Sequence, residues 1–100
     1  MTIFHQYQKE IEELCNRYKV RRLYAFGSAL TDRFSPNSDI DLIVDFESID
    51  VNSYADNYFN LKFALEDMFK RKIDLLEAQE IRNPFFKKAV DSQRQLLYAA

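Results

Sequence analysis

Gly27 is the only glycine in a chain of one hundred residues. With no Cβ, glycine takes strained dihedrals and lets another group approach the backbone closely. This sequence reserves that freedom for one position, directly after "RLYAF" and directly before Ser28. Twelve residues further on, Asp39 and Asp41 open the run "DIDLIVDF". The stretch from Phe26 to Phe46 therefore holds the two strongest local signals of the chain.

Aspartate is depleted in strands, yet residues 39–46 alternate as a strand does. Ile40, Leu42, Val44 and Phe46 share one face, and Asp39, Asp41, Ile43 and Asp45 share the other. The Cα atoms of Asp39 and Asp41 are expected about 6.5–7 Å apart on that face. Two like charges so placed repel, unless the face is well solvated or a cation sits between them. The run "KIDLL" at 72–76 predicts another strand, with Asp74 facing away from Ile73 and Leu75. Three carboxylates from two strands would make a hard-cation site of the kind Mg²⁺ uses, completed by water and substrate phosphates. Ser28 offers a hydroxyl and a free N–H where a helical turn begins, a place suited to phosphate. A phosphate-binding turn beside a carboxylate cluster is the apparatus of phosphoryl or nucleotidyl transfer. A carboxylate near the nucleophile can also accept its proton. Spacing alone leaves two readings open, a metal–phosphate site and a solvated acidic face that guards a strand edge.

The rest of the chain supplies a frame. Ile3, Tyr7, Ile11, Leu14 and Tyr18 recur at helical spacing, predicting an amphipathic helix over 3–19 with Thr2 as N-cap. Cys15 lies beside that stripe and reads as a small core residue. Residues 22–26 predict a strand, and 28–38 a short helical turn and loop. Residues 53–70 predict a helix whose stripe is Tyr54, Tyr58, Leu61, Leu65, Met68 and Phe69. "NPFFKKAV" starts another helix, with Asn83 as N-cap and Pro84 at the first position. The tail "RQLLYA" predicts a last short strand. Phe59, Phe63, Phe85, Phe86 and Tyr98 are expected mostly in the core, any exposed patch among them marking a partner surface. His5 reads as an exposed helix residue, Asp45 as a solvated charge, and Ser38 as shaping the turn before Asp39. The order is helix, strand, strand, helix, strand, helix, strand: an α/β (α+β) fold with a small mixed β-sheet flanked by helices. No repeat, linker or low-complexity segment appears, so residues 1–100 are expected to form one domain.

Composition narrows the function classes. The chain is 47% hydrophobic and 30% charged, which is globular and not disordered. Its 14 basic and 16 acidic residues give a net charge of −2. That balance argues against a nucleic-acid-binding module or an affinity for acidic lipid. One cysteine excludes an internal disulfide and suits a reducing compartment. No apolar run approaches the ~18 residues of a membrane span. His5, Glu10 and Glu12 stand where a signal peptide would need an apolar core. The expected location is the cytoplasm.

With these residues in place, "GSALTDRFSPNSDIDLIVDFE" resembles the signature of the polymerase-β-type nucleotidyltransferase superfamily. It is most similar to the minimal nucleotidyltransferase (MNT) domains. Their pattern is Gly-Ser, a loop, Ser-Asp-x-Asp-Leu, and a later strand aspartate. It falls here on Gly27, Ser28, Ser38, Asp39, Asp41, Leu42 and Asp74, and the resemblance covers residues 22–98. It implies the polymerase-β-like palm fold. It implies that Asp39, Asp41 and Asp74 are catalytic and hold Mg²⁺, that Gly27 and Ser28 hold the phosphates of ATP or another NTP, and that Ser38 contributes to the nucleotide site. It also implies AMP transfer to a hydroxyl on a helical HEPN-type partner, for which the chain acts as antitoxin in a hetero-oligomer, a homo-oligomer being left open. The alternatives are an antitoxin that works by binding alone and a small-molecule (antibiotic) nucleotidyltransferase, for which 100 residues leave no substrate domain. Many members read Gly-Ser-Arg-Ala-x-Gly; here Ala29, Leu30 and Asp32 stand at the arginine, the alanine and the second glycine. Arg22 and Arg33 are the candidate replacements for the missing cation, with a plain solvated charge as the alternative reading of each.

Overall fold

The computed structural model describes residues 3–30 and 38–100, the side chain of Ser28 excepted. The amphipathic segment at the start forms two helices, α1 (Ile3–Gln6) and α2 (Gln8–Arg17). The expected single helix breaks at Tyr7, whose φ of −107° and ψ of 18° leave the helical range. The break accompanies a packing demand. Phe4 and Tyr7 both turn their rings edge-on to Phe69, at centroid distances of 6.0 and 5.2 Å. Ile11 and Cys15 of α2 are buried, as their spacing predicts, and His5 is exposed. The expected cap at Thr2 lies outside the described residues.

Strand β1 (Val20–Phe26) begins two residues before its predicted start. A bulge between Val20 and Arg22 puts one extra residue into the ladder, so Val20 and Leu23 both reach the core. Strict alternation from Leu23 could not reveal that. A 3₁₀ turn, Gly27–Leu30, follows. Strand β2 (Ile40–Phe46) leads into helix α3 (Val51–Phe69), then β3 (Ile73–Glu77) and a second 3₁₀ turn, Ala78–Glu80. Helix α4 (Pro84–Gln93) and β4 (Gln95–Ala99) complete the chain. Helix α3 starts earlier than predicted because Asp50 caps it, its side chain accepting from the Asn52 N–H. Helix α4 starts where "NPFF" predicts, with the Asn83 side chain accepting from the Phe85 and Phe86 N–H groups at 2.9 and 3.1 Å.

The four strands form one mixed sheet in the order β3-β2-β1-β4. β1 runs antiparallel to both β2 and β4, and β2 pairs with β3 in parallel through the α3 crossover. One face of the sheet buries Leu23, Ala25, Ile40, Leu42, Val44, Ile73 and Leu75 against Phe4, Ile11, Cys15, Leu61, Leu65 and Phe69. Each such apolar side chain contributes about 1.5–3 kcal/mol of burial. Helix α4 lies over the opposite face. There Ile43 and Val90 are buried, and the Arg94 guanidinium stands 4.2 Å from the Tyr24 ring centroid.

The aromatic residues correct one expectation. Phe59, Phe63, Phe85 and Phe86 are exposed rather than core, Phe85 to 85%. The core stripe of α3 runs through Leu61, Leu65 and Phe69, and Phe59 and Phe63 lie on the far side of the helix, ring beside ring at 6.1 Å. Tyr98 does pack against the core. Among the described residues, no helix is long and apolar enough to cross a membrane.

Candidate active site

The carboxylates are brought together by sheet register. Phe26 of β1 pairs with Asp41 of β2, and Asp41 pairs with Asp74 of β3. Neighbouring strands lie about 4.8 Å apart, and in-register residues of a parallel pair project from the same face. Asp74 is exposed between Ile73 and Leu75, which are both buried, so it points away from the main core. Asp39 stands one residue before β2 and is exposed. Asp41 is half-buried, and its carboxyl is held above the ordinary range by burial first, then by the charges of Asp74 and Asp39. Both carboxylates are thus close enough to Asp41 to act on its charge.

Local contacts fix the ends of these strands. The Ile40 N–H donates to the Lys72 carbonyl at 3.1 Å, and the Ile73 N–H donates to Glu66 Oε2 at 3.1 Å. Arg71 Nη1 donates to the carbonyl of Ser38 at 3.5 Å, tying the residue before Asp39 to the α3–β3 turn. Ser38 is half-buried and faces this junction. Neither Glu66 nor Arg71 stands out in the sequence, because each acts through the backbone and leaves no spacing signal.

Gly27 has a φ of +75°, in the left-handed region. A Cβ built there would lie 2.6 Å from Asp41 Oδ2, closer than side chains come. The glycine therefore admits the Asp41 carboxylate itself against the backbone, a use that sequence reading assigns only to a ligand. Ser28 follows in the 3₁₀ turn. Ala29 is buried and Leu30 packs against the core, which pins this turn to the sheet.

Of the other charges singled out, Asp45 is not merely solvated. Its Oδ2 stands 3.9 Å from Arg21 Nη1. Arg22 is opposite Asp45, four residues before Phe26 and about 13 Å along the strand from the Gly27 end. Asp32 and Arg33 lie outside the described residues. Among the described residues, no group of three or more His, Cys, Asp or Glu side chains has the spacing of a metal site.

A small mixed sheet with acidic residues on adjacent strands beside a Gly-Ser turn is the frame of a nucleotidyltransferase. The chain belongs to the family described as polymerase beta, nucleotidyltransferase, whose pattern matches residues 9–100. Two proteins of Methanocaldococcus jannaschii, provisionally named protein adenylyltransferases, are similar to it. One is 32% identical over 84 residues, 84% of this chain and 83% of its own length. The other is 31% identical over 90 residues, 89% of this chain and 85% of its own. The fold matches a solved structure provisionally described as a minimal nucleotidyltransferase, with a TM-score of 0.76, 24% identity and 95% of each chain covered. It also matches a chain in a complex of a tri-AMPylated Shewanella oneidensis HEPN toxin with an MNT antitoxin. That match has a TM-score of 0.65 and 19% identity, and covers 98% of this chain and 74% of the other.

Proposed function

We propose that this nucleotidyltransferase moves AMP from ATP onto a hydroxyl of a cognate HEPN-type helical protein and thereby acts as that protein's antitoxin. The observation that carries the reading is the pairing of Phe26, Asp41 and Asp74 across three neighbouring strands, with Gly27 of the following turn against the Asp41 carboxylate and Asp39 beside it. The provisional names of the archaeal relatives and the MNT–HEPN complexes among the structural neighbours support the same substrate and partner.

In this reading Asp39, Asp41 and Asp74 would hold Mg²⁺, which when bound would supply the neutralisation of charge on the triphosphate. The chemistry of the donor set, though not its spacing in this structure, suits such an ion. It offers carboxylate oxygens alone, the ligands Mg²⁺ prefers, and the Asp41 carboxyl is held raised by burial first and then by the charges of Asp74 and Asp39. Gly27 and Ser28 receive the terminal phosphates and Ser38 borders the nucleotide site. Asp39 and Asp41 orient the triphosphate, and Asp74 accepts the proton of the attacking hydroxyl. The test is incubation with α-labelled ATP, Mg²⁺ and the helical partner. Label on the partner that disappears with Asp39→Asn and Asp41→Asn is the expected result, and a partner that stays unlabelled overturns the reading.

Ala29 favours a second reading. It is buried where many family members carry an arginine, so this turn supplies no cation at that position. A chain so built neutralises its partner by occlusion, with little or no turnover. Tight binding without label is its signature in the same assay.

A further inference from the structure

We propose that this chain associates with itself head to tail, helix α4 of one copy lying in the groove between α2 and α3 of the next. That groove holds about 310 Å³. Its floor is Leu14, Ala64 and Met68, of which Leu14 and Met68 also pack against the core. Its rim is Glu10, Glu13 and Asp67, all exposed, and Arg17 is the one cation among the lining residues. The rim is therefore acidic. Glu10 and Glu13 form no ion pair among the described residues, and Asp67 meets the exposed Lys70 ammonium at 3.4 Å.

Helix α4 presents the complementary surface. Phe85 is 85% exposed, more than any other large apolar side chain described. Phe85, Lys88, Ala89 and Ser92 recur at helical spacing and are all exposed, while Val90 is buried toward the sheet. They form the side of α4 turned away from the sheet, an aromatic knob with a cation one turn along. Lys87 is held by Asp91 at 2.8 Å, but Lys88 has no ion-pair partner among the described residues. Residues 82–94 carry Arg82, Lys87, Lys88 and Arg94 against Asp91 as the single acid.

Charge complementarity assigns the occupant. An acidic groove with an apolar floor takes a basic helix bearing an apolar knob, and this chain carries both halves. Phe85 seats over Leu14, Ala64 and Met68, and Lys88 meets the carboxylates of the rim. Burial of the Phe85 ring supplies most of the affinity, because exposed charge pairs contribute little. The charges set which surfaces meet and in which direction.

Topology fixes the form of the assembly. Helices α2 and α3 cover one face of the sheet, and α4 covers the other. The two surfaces lie on opposite layers of one molecule, so they meet only between molecules. They are also different surfaces. The contact is therefore heterologous, and copies add one after another unless the rotation between them closes a ring. Neither surface uses Asp39, Asp41 or Asp74, so the contact is independent of the transferase reading.

The test is analytical ultracentrifugation of the intact chain in a concentration series up to millimolar, with methyl NMR of Leu14 and Met68 on the same samples. The parent is expected to gain mass with concentration, to shift both methyl groups as it does so, and to associate less as salt is added. Phe85→Glu spoils the knob and keeps the groove. Glu13→Lys combined with Asp67→Lys spoils the groove and keeps the knob. All three positions are exposed, and Phe85→Ala is the further variant should Phe85→Glu not fold. Each variant alone should associate about 10-fold or more weakly than the parent. A mixture of the two should pair one to one and stop there, since it joins one intact knob to one intact groove. A parent that stays monomeric throughout, association that survives Phe85→Glu, a mixture that does not pair, or association with Leu14 and Met68 unmoved overturns the proposal. So does a response of Leu14 and Met68 that appears only when a helical partner protein is added, which gives the groove to that partner.

Discussion

The Asp41 carboxylate fills the space where a side chain at position 27 would begin. A Cβ on Gly27 would stand 2.6 Å from Asp41 Oδ2. Gly27→Ala therefore meets two penalties, the positive φ and the displaced carboxylate. The left-handed backbone alone costs about 1–2 kcal/mol. A lower Tm by calorimetry and a loss of transfer of about 100-fold or more in the labelling assay are expected, the second because a displaced charge no longer meets the reacting phosphate.

Asp41→Asn separates activity from stability. It removes a charge whose protonated form the fold favours through burial and the neighbours Asp74 and Asp39. In the folded state this carboxyl keeps its proton to higher pH than in the unfolded chain, where 3.8 applies. The stability it contributes is fully present below 3.8 and is lost as pH rises through the raised folded value. At neutral pH the Asn variant should therefore melt higher than the parent, the gap closing as pH falls below 3.8. Thermal melts across that range, without nucleotide or metal, check the sign. Transfer should fall about 10²–10³-fold.

Cys15 should be inert while the chain is folded. Burial, with help from Glu12, pushes its thiol up to about 12, so almost no thiolate exists near neutral pH. Alkylation monitored by mass spectrometry should be negligible in buffer and rapid in denaturant. Cys15→Ser would bury a hydroxyl in apolar surroundings and is expected to cost about 1–3 kcal/mol in urea unfolding.

Lys70 caps the end of α3 with a φ of 57°, a position where helices prefer glycine. Its contact with Asp67 is exposed at both ends and adds little. Lys70→Gly should raise stability by about 1 kcal/mol, measured by urea unfolding. Lys19, with a φ of 59°, offers a second site for the same comparison.

The candidate site and the elements that carry it are legible in the sequence where chemistry and periodicity coincide. Asp39, Asp41 and Asp74 are conspicuous because carboxylates interrupt apolar strands, and "NPFF" announces α4 because Asn and Pro each have one favoured place at a helix start. What stayed hidden has tertiary causes. The Tyr7 break follows from ring packing on Phe69, and the β1 bulge from the pairing with β2. The exposed Phe59 and Phe63 read as core because an aromatic side chain signals burial in one sequence and a surface in another. Arg71 and Glu66 hold strand ends through hydrogen bonds from side chain to backbone, for which no residue spacing exists.

Asp39, Asp41 and Asp74 all lie outside the buried apolar cluster that holds the sheet to its helices. The proposed chemistry would therefore be a veneer on a scaffold whose apolar core does not include it. Evolution can strip it with one substitution and keep a well-shaped binder, whereas regaining it demands several coordinated changes. Duplicated copies of such a chain should drift readily from catalyst to silent inhibitor and seldom return.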